Sequence, residues 1–168
     1  EATQIYQYKN ASPEHPLTMT LRIVNPNFED GTTGWENDGM LTQTNTSFPG
    51  KSGTTYLERW VNIGSKVPDV GIRQTLEGIP DGKYRLRAAV GNIQQNGANS
   101  TVNAGEKQTG VTLYAGIYDM PVDTMKAHKD LYFTVVDGQV TIGFKAENAT
   151  GNWICLDNIR LYYLGGNT

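Results

Sequence analysis

The chain has 168 residues, a formal net charge of −3 and a hydrophobic fraction of 38%. This length is enough for one domain with a full core. The charges form no basic cluster, which argues against a nucleic-acid partner because phosphate binding needs concentrated positive charge. No apolar run approaches the roughly 18 residues that cross a bilayer, so membrane insertion is not expected. The single cysteine, Cys155, can form no internal disulfide and predicts a buried core thiol.

Residues 1–16 lack a clear period and end in proline. They are expected to form an N-terminal tail or linker, with one edge strand at Ile5–Tyr8 at most, ahead of a β-sandwich domain over residues 17–168. Because the chain opens on Glu1 rather than methionine, we expect it to be a segment of a longer protein, covalently linked to other domains.

From Leu17 onward, apolar residues alternate with polar ones, and this period of two is typical of half-buried antiparallel strands. The alternating runs are LTMTLRIV, TTYLERWV, KYRLRAAV, GVTLYAGIY and QVTIGFKAE. The alternation assigns Leu21 in the first run and Ile117 in the fourth run to the face that packs on the core.

Turn residues separate these runs. Asp137–Gly138 lies between YFTVV and QVTIGF and is a strong β-hairpin signal, and Pro80 begins a turn before the KYRLRAAV strand. No segment of about ten residues has a convincing helical period. The pattern therefore predicts an all-β fold, a sandwich or a barrel. The polar residues 91–110 are expected to form a long loop, either functional or a hairpin tip.

Two acidic residues stand out because their neighbours are apolar. Glu29 follows Phe28 in the turn-rich stretch NPNFEDG, and Asp157 lies within the apolar run ICLDNIRLYY. A buried carboxylate needs a partner. A hard cation such as calcium, which takes about six to eight oxygen ligands, would provide one. The alternatives are that Asp157 caps a bulge or pairs with an arginine such as Arg22 or Arg160.

Four segments, taken in order, resemble the galactose-binding-like jelly rolls: NPNFEDGTTGW, KSGTTYLERW, RQTLEGIPDGKYRL and NWICLDNIRLYYLG. This family of antiparallel β-sandwiches includes many carbohydrate-binding modules appended to bacterial polysaccharide-degrading enzymes. The last segment also resembles repeat modules in secreted glycan-degrading proteins of gut Bacteroidetes. The resemblance covers about residues 21–165. It implies a jelly-roll sandwich, a secreted, periplasmic or cell-surface location, and a role as an accessory domain of a glycoside hydrolase or a surface protein.

The resemblance also implies a metal site. Family members often hold a structural calcium ion through the Glu of the first motif and the Asp of the last. In this chain those positions are Glu29 and Asp157, with backbone carbonyl oxygens near Asn27 and Lys51 as further ligands. Such an ion would pin the chain ends together rather than take part in chemistry.

Sugars are bound by aromatic faces and by polar side chains that hydrogen-bond to hydroxyl groups. If Leu57 faces the core, the alternation in TTYLERWV places Tyr56, Glu58 and Trp60 together on the outer face. Trp153 is assigned equally to the core or to the site, and Arg87 could instead pair with an acid such as Glu147. The candidate ligand-binding residues are Tyr56, Glu58, Trp60, Arg87, Gln94, Tyr114 and Trp153.

Catalytic signatures are missing from the sequence. The two histidines, His15 and His128, lie in polar segments, and the motifs of serine hydrolases, zinc proteases and phosphate-binding loops do not occur. We therefore expect a non-catalytic carbohydrate-binding module that targets a linked enzyme or surface protein to a polysaccharide or oligosaccharide. The alternative is a structural or protein-interaction β-sandwich of a cell-surface protein, without a sugar site.

Overall fold

The computed structural model describes residues 8–166, and within that range the chain forms two sheets packed face to face. The strands are β1 (Leu17–Thr18), β2 (Glu36–Asp38), β3 (Leu41–Gln43), β4 (Tyr56–Trp60), β5 (Val70–Glu77), β6 (Gly82–Ile93), β7 (Val111–Ala115), β8 (Tyr118–Pro121), β9 (Lys126–Val135), β10 (Gln139–Ala146) and β11 (Trp153–Gly165). None of the helices within residues 8–166 has the length and apolar character needed to span a membrane.

The first sheet has the strand order β3-β4-β11-β6-β9, with β1 paired to β11, and the second sheet has the order β2-β5-β10-β7-β8. The strands pair antiparallel in both sheets. This arrangement confirms the predicted all-β, antiparallel sandwich of jelly-roll type. The N-terminal and C-terminal strands β1 and β11 lie side by side, so residues distant in sequence meet in the first sheet.

The core lies between the sheets and follows from the alternation in the long strands. In β5 and β10 every second side chain is buried, including Ile72, Leu76 and Ile142. From the loop before β2, Phe28 packs against Trp35 with ring centroids 5.2 Å apart. Both rings belong to the same buried cluster as the strand residues, so this loop closes one end of the sandwich.

The strand predicted over LTMTLRIV is wrong beyond its first residues. Strand β1 covers only Leu17–Thr18, and a 3₁₀ turn follows at Thr20–Arg22. The turn places Met19 and Ile23, four residues apart, in the core and leaves Leu21 fully exposed. The alternating pattern is misleading here because Met19 and Ile23 are four residues apart. That spacing places two side chains on the same face of a strand and also on the same face of a helical turn.

The Asp137–Gly138 pair forms a turn but does not form a hairpin. Both residues have positive φ (61° and 69°), as the dipeptide predicts. However, β9 belongs to the first sheet and β10 to the second, so the chain crosses between the sheets here. The turn docks on the β5–β6 connection, where the Gly138 amide donates to Asp81 Oδ1 and the Ile79 amide donates to the Gly138 carbonyl.

Two further predictions need correction in detail. Ile117 is exposed rather than buried, because β7 ends at Ala115 and the chain turns through Gly116 into β8. Residues 91–110 are more ordered than a simple loop, since β6 continues to Ile93 and a bridge then joins Gln95 to Asn103. The edge strand expected at Ile5–Tyr8 falls, apart from Tyr8, outside the described residues, and the boundary at residue 17 stays a prediction.

Candidate functional site

The outer face of the first sheet carries a groove whose floor is set by strand pairing. In β4 the alternation turns Leu57 into the core and leaves Tyr56, Glu58 and Trp60 on the outer face. Strand β11 pairs antiparallel with β4, so that Trp153 lies opposite Trp60. Trp153, distant in sequence, therefore becomes a neighbour of Glu58 and Trp60.

Loops at the end of the sheet complete this groove, which has a volume of about 320 Å³. One wall is the connection between β3 and β4, and the other is the ordered segment after β6. We call the whole feature the Trp60 groove. Its lining residues are Gln43, Asn45, Ser47, Glu58, Trp60, Ile63, Gln95, Ala98, Asn99 and Trp153.

Glu58 is the hydrogen-bonding centre of the Trp60 groove. Its Oε1 accepts from Trp153 Nε1 at 2.8 Å, and its Oε2 accepts from Gln43 Nε2 at 3.1 Å. The Tyr56 hydroxyl donates to Asn45 Oδ1 at 2.7 Å and contacts Glu58 Oε1 at 3.3 Å. Burial raises the pKa of Tyr56, so this phenol stays protonated and remains a donor. These contacts fix the carboxylate in one orientation.

Trp60 provides an open aromatic surface. Its side chain is 47% exposed, yet its indole N–H is satisfied by Gln95 Oε1 at 2.8 Å. Gln95 is itself buried and is held by Asn152, whose amide donates to the same oxygen at 2.9 Å and whose Oδ1 accepts from the Gln95 backbone N–H. The ring is therefore held in place by its polar edge, while about half of the side chain meets solvent.

Trp153 forms the floor of the groove and is buried, with 2% of its surface exposed. It belongs to a small apolar cluster on the outer side of the first sheet, separate from the core between the sheets. The cluster includes Phe48 from the β3–β4 connection and Cys155, which is a buried free thiol as predicted. Burial also raises the pKa of that thiol, so Cys155 stays protonated.

Four of the predicted ligand-binding residues are absent from the lining of the Trp60 groove. Tyr56 is fully buried and supports the groove through its contacts with Asn45 and Glu58, so it is not the ligand-binding residue that the sequence predicts. The other three, Gln94, Arg87 and Tyr114, lie elsewhere. The Gln94 side chain ties loops together, accepting from the Gly64 amide and donating to the Ser65 carbonyl. Arg87 forms a two-contact ion pair with Asp130 on β9, at 2.8 and 3.0 Å, rather than with Glu147. The structure brings Tyr56, Glu58, Trp60 and Trp153 together and separates them from Arg87, Gln94 and Tyr114.

Tyr114 lies on the second sheet, in a separate groove of about 490 Å³. Its ring lies against Gly143, where a Cβ atom would collide with it, and the Lys145 ammonium is 5.5 Å from the ring centroid. An exposed ion pair joins Arg73 to Glu36 at 2.9 Å in the same groove. Because the aromatic surface here already contacts a glycine and a cation, this groove offers less open ring than the Trp60 groove does.

Sequence reasoning missed the loop residues of the Trp60 groove. Strand alternation carries no information about connections, whose side chains are positioned by tertiary contacts. Gln95 lies beside Gln94 in the long polar loop, whose amide side chains the sequence offers to a ligand, and Asn45 lies in a polar stretch without a period. The lining residues that the sequence does not indicate are Gln43, Asn45, Ser47, Ile63, Ala98 and Asn99.

The two predicted metal-binding carboxylates approach one loop from different elements. Asp157 lies at a bulge in β11, beside Asn158 with a φ of 52°, and its Oδ2 accepts from the Ser52 amide at 2.6 Å. The two oxygens of Glu29 accept from the Thr54 and Thr55 amides, both at 2.8 Å. Residues 52–55 therefore join the beginning and the end of the domain.

The electrostatics of the pair are asymmetric. The pKa of Asp157 is raised to about 7, chiefly by burial and also by the nearby Glu29 charge, against the opposing effects of the Ser52 and Asn158 amides and of Arg160. Asp157 Oδ1 is buried and has no hydrogen-bond partner within residues 8–166. The backbone amides of Thr54 and Thr55 instead lower the pKa of Glu29.

These contacts fit a hard cation in one respect, because an unpartnered buried carboxylate oxygen lies close to a second carboxylate. Within residues 8–166 no group of three or more His, Cys, Asp or Glu side chains is found, so other ligands would have to be backbone oxygens or water. Asn27 Oδ1 accepts from Arg160 Nη1 at 3.0 Å, and Lys51 Nζ contacts the Thr44 carbonyl at 3.4 Å.

The alternatives for Asp157 are partly resolved by these contacts. It sits at a bulge, as one alternative expected, and forms no salt bridge within residues 8–166. Arg160 influences it through its charge, whereas Arg22 donates to the Glu77 and Gly78 carbonyls at a different place.

Comparison with known proteins gives structural likenesses only. No family model matches the sequence, and no curated protein matches it. Among solved structures, the carbohydrate-binding module TmCBM61 in complex with β-1,4-galactotriose has a TM-score of 0.60 and 18% identity, over 83% of this chain and 95% of that chain. A cyclase from Fischerella sp. TAU has a TM-score of 0.60 and 16% identity, over 91% of this chain and all (100%) of that chain.

A third structure is the CBM22-1 xylan-binding domain from Paenibacillus barcinonensis Xyn10C, with a TM-score of 0.51 and 12% identity, over 83% of this chain and 92% of that chain. At these identities the likeness establishes the fold alone. The chain therefore has the β-sandwich fold that is found in carbohydrate-binding modules and also in a cyclase.

Proposed function

We propose that this domain is a non-catalytic carbohydrate-binding module and that the Trp60 groove holds the sugar. The observation that carries the proposal is the half-exposed ring of Trp60, which lines the groove and whose indole N–H is already satisfied. An aromatic face of this kind stacks on the C–H surface of a sugar ring. Amide and hydroxyl groups of Asn45, Ser47 and Asn99 line the same groove and can hydrogen-bond to sugar hydroxyls.

The size of the groove supports a short binding site. A volume of about 320 Å³ is at the lower end of small-molecule pockets. Of the two tryptophans that line the groove, Trp60 is half-exposed and can contact a sugar, whereas Trp153 is buried. We infer that the groove holds a small part of a polysaccharide or oligosaccharide. The fold shared with modules crystallised with galactotriose or described as xylan-binding is consistent with this proposal.

An enzymatic role is the competing proposal, and the likeness to a cyclase supports it. The side chains of the groove favour binding. Its lining includes a single carboxylate, Glu58, and no histidine or cysteine from the described part of the chain. A glycosidase needs two carboxyl groups about 5–10 Å apart. Glu58 is occupied as an acceptor for Trp153 and Gln43, a contact set suited to holding the groove in shape.

We also propose a structural calcium ion between Glu29 and Asp157, with backbone carbonyl oxygens near Asn27 and Lys51 as further ligands. The unpartnered Oδ1 of Asp157 supports this assignment. The ion would supply the positive charge that the buried carboxylate lacks. The two side chains would hold it while residues 52–55 keep the first and last parts of the domain together.

In a longer protein the module would act by holding the linked domain close to its glycan. We propose a secreted, periplasmic or cell-surface protein in which binding of a glycan raises the local concentration of a linked catalytic or surface domain near that glycan. In the rival, a protein-interaction domain, the exposed tryptophan would contact a protein instead of a sugar.

A glycan array tests the proposal directly. The isolated domain, labelled and applied in calcium and again in chelator, is expected to bind a defined set of oligosaccharides. The same preparation is incubated with the bound glycans and assayed for reducing ends. Binding without release supports a non-catalytic module, release supports an enzyme, and a complete lack of binding supports the structural alternative.

A further inference from the structure

Within residues 8–166, the lining of the Trp60 groove carries negative charge without a balancing positive charge. Among its described lining residues, Glu58 is the one charged side chain, and neither lysine nor arginine is present. Three arginines of the same sheet are engaged outside the groove: Arg87 is paired with Asp130, Arg160 donates to Asn27, and the Arg85 guanidinium lies over the Tyr162 ring, 4.5 Å from its centroid. A ligand in this groove therefore meets a negative charge and no compensating cation.

The strong hydrogen-bond donors of the groove are already used inside the protein. The Trp60 indole N–H donates to Gln95, and the Trp153 indole N–H donates to Glu58. The Tyr56 hydroxyl donates to Asn45, and one amide hydrogen of Gln43 is directed at Glu58. A carboxylate or sulfate accepts hydrogen bonds and cannot donate them, so it would find few of the donors it needs here.

Sugar hydroxyl groups match the hydrogen-bonding sites that remain free in the groove better than carboxylate or sulfate groups do. A carboxylate has about four lone-pair sites, and Glu58 uses part of them for Trp153 and Gln43. A neutral sugar can donate to the remainder while its other hydroxyls accept from the neutral groups of Asn45 or Asn99. An anionic sugar would instead be desolvated beside a fixed negative charge, which is unfavourable.

We propose that the Trp60 groove selects neutral sugars and rejects sugars that carry a carboxylate or sulfate, and that Glu58 is the residue that sets this selectivity. The inference rests on the proposed function and adds the class of glycan to it.

The test uses matched pairs of probes. Lactose is printed beside its sialylated and sulfated forms, and polygalacturonic acid is printed beside the same polymer after carboxyl reduction, with neutral xylan, mannan, galactan and glucan fragments added. The neutral member of at least one pair is expected to bind roughly tenfold or more tightly than its acidic partner at low salt. Salt is expected to narrow the difference, because it screens the repulsion.

Two variants connect the selectivity to charge. Glu58→Gln keeps a side chain that can accept a hydrogen bond from Trp153. The variant removes the negative charge, so the ratio of its affinity for neutral probes to its affinity for acidic probes is expected to be smaller than that of the wild type. Ala98→Lys adds a cation to the lining at an exposed position without removing a hydrogen bond, and is expected to raise binding of acidic probes. Ala104→Lys, exposed on the same segment but outside the lining, is the matched control and should change nothing.

The outcomes separate the two proposals. Acidic probes that bind the wild-type domain as tightly as their neutral partners overturn the selectivity while leaving glycan binding intact. Unchanged acidic binding in the Ala98→Lys variant also counts against it, even if Glu58→Gln fails to fold. A wild-type domain that binds no probe of either kind refutes the proposed function, and this inference with it.

Discussion

Trp60 on β4 and Trp153 on β11 lie opposite each other across the first sheet, yet one is half-exposed and the other is buried. The difference comes from their surroundings. Trp153 belongs to the apolar cluster formed with Phe48 and donates to Glu58, whereas Trp60 is anchored by Gln95 at its edge only. One tryptophan therefore supports the groove, and the other is available to a ligand.

Replacing each tryptophan by alanine should separate these two roles. Trp153→Ala removes a buried ring and leaves Glu58 without its closest donor, so we expect the free energy of unfolding to fall by roughly 3–5 kcal/mol. Trp60→Ala should lower it by less than half as much, because the ring is half-exposed. Urea denaturation followed by circular dichroism measures both, and equal losses for the two variants would contradict the assignment.

The calcium proposal predicts an ion-dependent stability. Wild-type protein should melt at a higher temperature in calcium than in chelator, since an ion bound by the folded state alone stabilises it. Asp157→Asn should abolish the difference. In chelator the variant should be at least as stable as wild type, because it no longer buries an uncompensated charge. Differential scanning calorimetry gives the four melting temperatures.

Glu77→Gln is a suitable control for that experiment, because Glu77 is an exposed acid on β5, in the other sheet. It should keep the full calcium effect. A wild-type melting temperature that is the same in calcium and in chelator would remove the support for the ion.

Without calcium, stability should depend on pH through Asp157. Its folded pKa of about 7 lies above the unfolded value of about 3.9. The folded state then binds the proton more tightly than the unfolded state does. The stabilisation that comes from protonated Asp157 is therefore complete below the unfolded pKa and is lost as the pH rises through about 7. Glu29 has a lowered folded pKa and acts in the opposite direction, with stability lost only as the pH falls into the acid range.

In chelator, the melting temperature should therefore fall between about pH 4 and pH 7, the unfolded and folded pKa values of Asp157, and this group should add no further slope above that window. Asp157→Asn should flatten this slope. A slope that survives in the Asp157→Asn variant would assign the pH dependence to other groups.

The turn after β1 gives a prediction about packing. Leu21 is fully exposed, whereas Ile23 is 3% exposed and belongs to the core between the sheets. Leu21→Ala should change the free energy of unfolding by no more than about 0.5 kcal/mol, and Ile23→Ala should lower it by roughly 2–4 kcal/mol. If the segment were the alternating strand that its sequence suggests, both substitutions would be costly.

The sequence predicted the features that depend on local alternation. The outer face of β4 is one such case. Because Leu57 packs in the core, strand alternation places Glu58 and Trp60 on the opposite, outer face. Local signals did not determine where a strand pairs. The Asp137–Gly138 turn has the backbone that its residues favour, but β10 joins β5 and β7 in the other sheet.

Long-range contacts explain the rest of the differences. Arg87 pairs with Asp130 because β6 and β9 are neighbours, which the sequence does not reveal. The walls of the Trp60 groove come from two connections, and Gln95 reaches Trp60 only because Asn152 fixes it from the β10–β11 connection. Such residues are positioned by the assembled fold rather than by their own segment.

The measurement closest to the central claim is an isothermal titration with the best glycan from the array, comparing wild type, Trp60→Ala and Tyr132→Ala. Tyr132 is an exposed aromatic residue on the same sheet, outside the groove. The account predicts that Trp60→Ala weakens binding by roughly tenfold or more while Tyr132→Ala binds like wild type and both remain folded. Unchanged affinity in the Trp60→Ala protein would contradict it.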